Sequence, residues 1–145
     1  MAERRPARRE FVVDTNVLAY YALGTTPFCE EISELLSKPV ELIAPDSWRV
    51  ELLNVVWQAS RSGAIQVGHG LALLEGVEKL LDRSVPVRSI WREALVCAQE
   101  HDLSTHDTLF IVLAEREQSD LLTYDQRLLA GFPRVARSPG RVLSE

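Results

Sequence analysis

The apolar residues of this chain fall into two rhythms: short unbroken runs, and longer stretches spaced at three and four. "EFVVD" (10–14) and "VELIA" (40–44) read as strands, because compact apolar runs between polar segments suit a strand buried in a sheet. A helical stretch follows the first to about Leu23, and "PFCEEISELLSK" predicts a second helix. "PDSWRVELLNVVWQASRSG" is a well-punctuated helix, with Asp46 or Ser47 as N-cap and Gly63 as the stop. Leu71, Leu74, Val77, Leu80 and Leu81 recur at helical spacing in "GHGLALLEGVEKLLDRS". "VPVRSI" predicts a short strand, "IWREALVCAQEHD" another helix, and "LSTHDTLFIVLAEREQ" a helix opening at Ser104. "DLLTYD" is a second apolar strand that ends, like the first, in an aspartate, and "ARSPGRVLSE" has room for a last edge strand.

Alternation of short strands with helices of ten or more residues predicts an α/β protein, a three-layer α/β/α sandwich around a central parallel sheet. In open parallel sheets ligands bind outside the carboxyl ends of the strands. Asp14 and Asp125 both occupy such ends.

Composition narrows the class. The 145 residues suffice for one core, with 46% hydrophobic and 26% charged residues as in ordinary globular proteins. No apolar run approaches the roughly 20 residues that cross a bilayer, and the start, "MAERRPARRE", lacks the apolar segment of a signal peptide. Cys29 and Cys97 fit no metal-spaced pattern and are expected as reduced thiols of a cytoplasmic protein. The net charge of −5 is unevenly spread. Arg4, Arg5, Arg8 and Arg9 form a basic arm over residues 1–9, expected to be mobile, ahead of a single domain over 10–145. Arg134, Arg137 and Arg141 make the C-terminal segment basic too. Solvation and contact with nucleic acid are both open for these ends. There is no GxxxxGK[ST] loop, no GxGxxG and no GxSxG, so the common nucleotide-binding and serine-hydrolase routes have no support.

Four carboxylates carry the candidate chemistry. Asp14 and Asp125 each have a local reading as helix N-caps. Glu51 lies three residues after Trp48 and four before Val55, on or beside the apolar stripe of its helix, where an unpartnered carboxylate is costly. Asp107 fits the capping-box spacing of "STHD", yet Ile111 and Ala114 at plus four and plus seven set it on an apolar face. Convergence of the four would create strong repulsion that a hard divalent cation relieves, and oxygen ligands favour Mg²⁺ or Mn²⁺. His69, His101 and His106 are scattered; His106 reads best as a surface residue, with a supporting role beside Asp107 left open. An acidic cleft of this kind suits phosphodiester hydrolysis, which needs no side-chain nucleophile.

With these residues in hand, "VVDTNVL", "VELLNVVW", "LSTHDTLFIVLAE" and "LLTYDQRL" resemble the four acidic motifs of PIN-domain nucleases, in order, over about residues 10–130. The nearest branch is the VapC-type toxins of toxin–antitoxin pairs. The resemblance implies the α/β/α fold, Mg²⁺- or Mn²⁺-dependent cleavage of RNA, a homodimer and a cognate antitoxin protein. Asp14, Glu51, Asp107 and Asp125 match the family's acidic quartet, with Asp14, Asp107 and Asp125 as metal ligands and Glu51 ligating through water or orienting the nucleophile. Thr123 and Asn16 match polar residues that support the acids. His106 departs from the more usual aromatic residue before the third acid.

Two alternatives stay open. One is a PIN-fold binding module without catalysis. The other is phosphoryl transfer through an aspartyl intermediate on Asp14, which has against it Asn16 in place of a second aspartate and only two lysines, Lys38 and Lys79. The apolar stripes around residues 28–37 and 69–82 are candidates for a dimer or antitoxin surface, although core packing also accounts for them.

Overall fold

The computed structural model describes residues 7–145. Five strands, β1 (Arg9–Val13), β2 (Val40–Pro45), β3 (Arg83–Val85), β4 (Asp120–Leu122) and β5 (Ala136–Arg137), alternate with helices. These are α1 (Thr15–Ala22), α2 (Phe28–Leu36), α3 (Trp48–Arg61), α4 (Val67–Leu80), α5 (Trp91–His101), α6 (Thr105–Glu117), α7 (Gln126–Gly131) and α8 (Pro139–Leu143).

All neighbouring strands are parallel, in the order β3-β2-β1-β4-β5. Val12 sits between Ile43 on one side and Leu121 on the other. The chain builds outward from β1 through β2 to β3, then crosses back to lay β4 on the opposite side of β1. The strand order therefore reverses between β1 and β4, and that reversal opens a crevice at their carboxyl ends.

Continuous apolar runs explain the layers. Phe11, Val12, Val13, Leu42, Ile43, Ala44, Leu121 and Leu122 are buried, as strands covered on both faces must be. α6 is buried without interruption from Thr108 to Ala114 because it lies against β1, β2 and β4 with α5 over it. The Thr108 hydroxyl, inside this layer, donates to the Ala94 carbonyl of α5 at 2.7 Å. α1 gathers α2, α3 and α4 into the second helical layer. The expected three-layer sandwich is the observed architecture.

Two local expectations shift. The strand expected over "VPVRSI" lies earlier, at Arg83–Val85, and Val87–Ser89 forms a single 3-10 turn. Pro86 has no N–H to continue a ladder, so the strand stops before it. At the start of α3 the cap position is Ser47, which makes no side-chain capping bond; Asp46 instead accepts from the Val87 amide at 3.2 Å. Gly63 stands just past the end of α3 at φ +82°, as its role as a stop requires.

Arg4 and Arg5 of the basic arm lie outside the described residues. Arg9 belongs to the sheet: it opens β1 and pairs with Asp120 at 3.0 Å and Glu145 at 3.1 Å. Arg137 shares both partners. The guanidinium groups of Arg9 and Arg137 thus meet at Asp120, the first residue of β4, although Arg137 itself ends β5 level with Leu122. Cys29 and Cys97 are free thiols. Among the described residues no helix is long and apolar enough to cross a membrane.

Candidate active site

Asp14 is the first residue after β1 and sits at the reversal of strand order. Its Oδ1 caps α1 by accepting from the Thr15 amide at 2.8 Å. Its Oδ2 accepts from the Thr123 hydroxyl at 2.8 Å and from Asn16 Nδ2 at 3.3 Å. The local capping role and the inward-facing role are therefore held together, one by each oxygen. Asp14 is only 8% exposed, and burial pushes its carboxyl up from 3.8 to about 6. The Thr123 and Thr15 hydrogen bonds oppose that rise, while Glu51 and Asp107 add repulsion.

Glu51 reaches the same crevice from α3. The entry of that helix is fixed by Trp48, which is buried and donates from Nε1 to Ser84 Oγ on β3 at 2.9 Å. One turn later, Glu51 Oε2 accepts from the Thr15 hydroxyl, and His106 Nδ1 lies 3.3 Å from Glu51 Oε1. Burial raises the Glu51 carboxyl, with Thr15 and His106 lowering it and Asp107 raising it. An open crevice of about 430 Å³ is lined by Asp14, Thr15, Asn16, Glu51, Asn54 and His106. His106 is thus both exposed, as its surface reading required, and in contact with an acid of the cleft.

Asp107 and Asp125 stand beside this crevice. Asp107 lies in the first turn of α6, where Ser104 Oγ accepts from its amide at 3.4 Å and donates to its Oδ2 at 3.2 Å. The capping box is thus only partly formed, because the carboxylate meets the Ser104 hydroxyl. Asp125 caps α7 through Oδ1, which accepts from the amides of Arg127 at 2.9 Å and Leu128 at 3.4 Å. Burial tends to raise its carboxyl, but the hydrogen bonds and charge of Arg127 outweigh that and hold it below the usual range. Arg127 Nη2 spans the two acids, 3.3 Å from Asp107 Oδ2 and 3.1 Å from Asp125 Oδ2.

Thr123 and Asn16 tie these parts together. Thr123, fully buried, donates to Asp14 and accepts from the Asp125 amide at 3.0 Å. Asn16 Oδ1 accepts from the Tyr124 amide at 3.2 Å. Tyr124 in turn packs on Phe28 and Tyr20 and donates its hydroxyl to Glu31 at 2.8 Å, which fixes the β4–α7 loop to α1 and α2.

A family model for the PIN domain matches residues 11–137, a span that contains all four acids. The chain belongs to the PIN-domain family. It is 26% identical over 109 residues to a ribonuclease VapC3 from Pyrobaculum aerophilum, a match covering 73% of this chain and 82% of that protein. It is 28% identical over 127 residues to a ribonuclease VapC3 from Mycobacterium tuberculosis, covering 86% and 88%. Among solved structures it shares its fold with PAE2754 from Pyrobaculum aerophilum, at a TM-score of 0.72 and 22% identity over 95% of this chain and 96% of that one. A toxin–antitoxin complex from Klebsiella pneumoniae aligns at a TM-score of 0.63 and 18% identity, over 89% and 97%.

The donor chemistry of this PIN-domain crevice fits a hard divalent cation. The four acids supply only carboxylate oxygens, and burial and repulsion hold Asp14 at a pKa that a nearby cation would bring down. The side chains do not close on one point: among the described residues no three His, Cys, Asp or Glu groups are placed to share an ion. Sequence reasoning missed Thr15 and Arg127. Thr15 lies directly after an acid but bonds one 36 residues away, and Arg127 lies two residues after Asp125 with no motif to mark it.

Proposed function

We propose that this chain is a divalent-metal-dependent endoribonuclease acting in the cytoplasm, and the toxin of a toxin–antitoxin pair. Membership of the PIN-domain family, two relatives named ribonuclease VapC3 and a fold shared with a toxin–antitoxin complex support that reading. The observation that carries it is the buried Asp14, raised to about 6 at the strand-order reversal with Glu51 and Asp107 within repulsive range.

In this reading Asp14, Asp107 and Asp125 hold Mg²⁺ or Mn²⁺. A bound ion would supply a more acidic water and positive charge for a displacement at phosphorus. Glu51, at the rim of the crevice, would orient an attacking water and take its proton as the phosphorus–oxygen bond to the leaving group breaks. Thr123 favours the ionised form of Asp14 against its burial and, with Asn16, aims it; Thr15 and His106 favour the ionised form of Glu51 and aim it.

Partner binding has its own support in exposed apolar side chains. Val50, Leu53 and Trp57 form a stripe on α3, and Trp91 and Leu95 stand on α5. Of the two stripes singled out in the sequence, α2 buries Ile32 and Leu35 in the core, and the second buries Val77 and packs Leu74, Leu80 and Leu81 against the core while leaving Leu71 exposed; Val67, just ahead of it on α4, is exposed too. We infer that these exposed faces serve a homodimer and an antitoxin.

The test is incubation of purified protein with total RNA, with and without Mg²⁺, beside Asp14→Asn. Cleavage that requires the ion and disappears in the variant is the expected result. Cleavage by the variant at the wild-type rate ends the assignment. A second reading, a PIN-fold binding module, takes support from the acids not standing together as one ligand set. Calorimetric titration with Mn²⁺ separates the two, because such a module binds no ion at the quartet. The aspartyl-intermediate alternative loses ground: both Asp14 oxygens accept hydrogen bonds, and neither Lys38 nor Lys79 lines the crevice.

A further inference from the structure

Arg127 supplies positive charge at the place where the acids need it. Its single Nη2 atom lies 3.3 Å from Asp107 Oδ2 and 3.1 Å from Asp125 Oδ2, so one guanidinium bridges the first turn of α6 and the cap of α7. The Oδ1 of Asp125 is committed to the amides of Arg127 and Leu128, which leaves Oδ2 as its free oxygen, and that oxygen faces Arg127. The Oδ2 of Asp107 is shared between Arg127 and the Ser104 hydroxyl. As the side chains stand, a divalent ion shared by Asp107 and Asp125 has to take oxygens that a monovalent cation already engages.

We propose that Arg127 is a tethered cation that competes with the divalent ion for Asp107 and Asp125, and so sets the ion concentration at which the site fills. The inference rests on the reading of the crevice as a metal-dependent nuclease site. The side chain is built for release. It is 67% exposed, so its ion pairs are screened by water and give way at small cost. Its backbone need not move, because Asp125 caps the short helix and the buried Leu128 anchors it. Its charge cannot be titrated away near neutral pH, so only displacement removes it.

The test is calorimetric titration of the full chain with Mn²⁺ at fixed ionic strength, for wild type, Arg127→Ala, Arg127→Gln and Arg127→Lys. Removing one positive charge next to a divalent ion at a solvated rim tightens binding by about three- to tenfold. That gain is expected in the Ala and Gln variants, while Lys, which keeps the charge, stays near wild type. A thermal melt in EDTA reports whether each variant is folded, and Gln keeps the length and polarity of the side chain should Ala disturb α7. Mn²⁺ affinity that is unchanged or weaker in both neutral variants overturns the inference and leaves the nuclease reading standing. Wild-type protein that binds no Mn²⁺ overturns both.

Discussion

The Thr123 hydroxyl donates to Asp14 Oδ2 across 2.8 Å, and the two residues lie 109 positions apart in the chain. This bond joins the carboxyl ends of β1 and β4, the two strands between which the sheet reverses its order. Thr123 is fully buried, and its oxygen also accepts from the Asp125 amide at 3.0 Å, so one hydroxyl orients two acids of the crevice.

Thr123→Val keeps the shape and removes these two bonds together with the longer one that the hydroxyl accepts from Asn16 Nδ2 at 3.4 Å. The Asp125 amide and Asp14 each lose a buried partner, which costs about 2–3 kcal/mol in urea unfolding at neutral pH. Because the Thr123 bond opposes the burial-driven rise of Asp14, its loss moves that carboxyl further up, visible in a carboxyl-carbon NMR titration. Thr123→Ser restores both effects. A Val variant as stable as wild type, with an unmoved Asp14 midpoint, contradicts this account.

Asp14, proposed above as a metal ligand, also makes stability depend on pH. Its native carboxyl is raised from 3.8 to about 6, so between those values the native state binds a proton that the unfolded chain releases. The sign follows: metal-free protein loses this group's contribution as pH rises from about 4 through 6, and carries the full penalty above 6. Two pH units correspond to roughly 3 kcal/mol. Asp14→Asn is neutral at every pH, so in EDTA at pH 7.5 it is expected to be more stable than wild type by up to about 3 kcal/mol. The gap closes toward pH 4, and saturating Mn²⁺ narrows it by binding wild type preferentially. Urea titrations at the two pH values measure this; an Asn variant less stable than wild type in EDTA at pH 7.5 would show that the penalty on Asp14 is absent.

Much of the frame was legible because β1, β2, α3 and α6 carry their own punctuation: apolar runs ending at acids, Ser104 as a working cap, and Gly63 at positive φ. The four acids drew notice through where they sat, at strand ends and on helix faces; Asp14 and Glu51 line the crevice, while Asp107 and Asp125 share Arg127. The strand at Arg83–Val85 was misplaced because Val85 and Val87 flank Pro86 and mimic one apolar run across a break in hydrogen bonding. Local caps at Asp14 and Asp125 were genuine, and they did not exclude a shared site because each carboxylate has two oxygens to divide. Thr15 and Arg127 stayed hidden because their roles depend on which helix faces which across the crevice, a property no short stretch encodes.

Glu51 offers the sharpest test of that hidden layer. Its two oxygens are held from opposite sides, Oε2 by the Thr15 hydroxyl on α1 and Oε1 by His106 Nδ1 on α6. Both contacts favour the carboxylate against a burial that disfavours it. Thr15→Val or His106→Ala removes one, leaving Glu51 held by the other, and each is expected to lower kcat by about three- to thirtyfold with KM little changed, as for an interaction used in the transition state. With both removed, Glu51 is neither aimed nor kept ionised. The double variant should then fall to the level of Glu51→Gln, a loss larger than the product of the single effects. In the nuclease reading, where Glu51 acts ionised, the acid limb of the pH–rate profile should also move to higher pH in each single variant, because loss of either contact raises that carboxyl further. Single variants that leave both kcat and the acid limb at wild-type values would mean that Glu51 does its work without either neighbour.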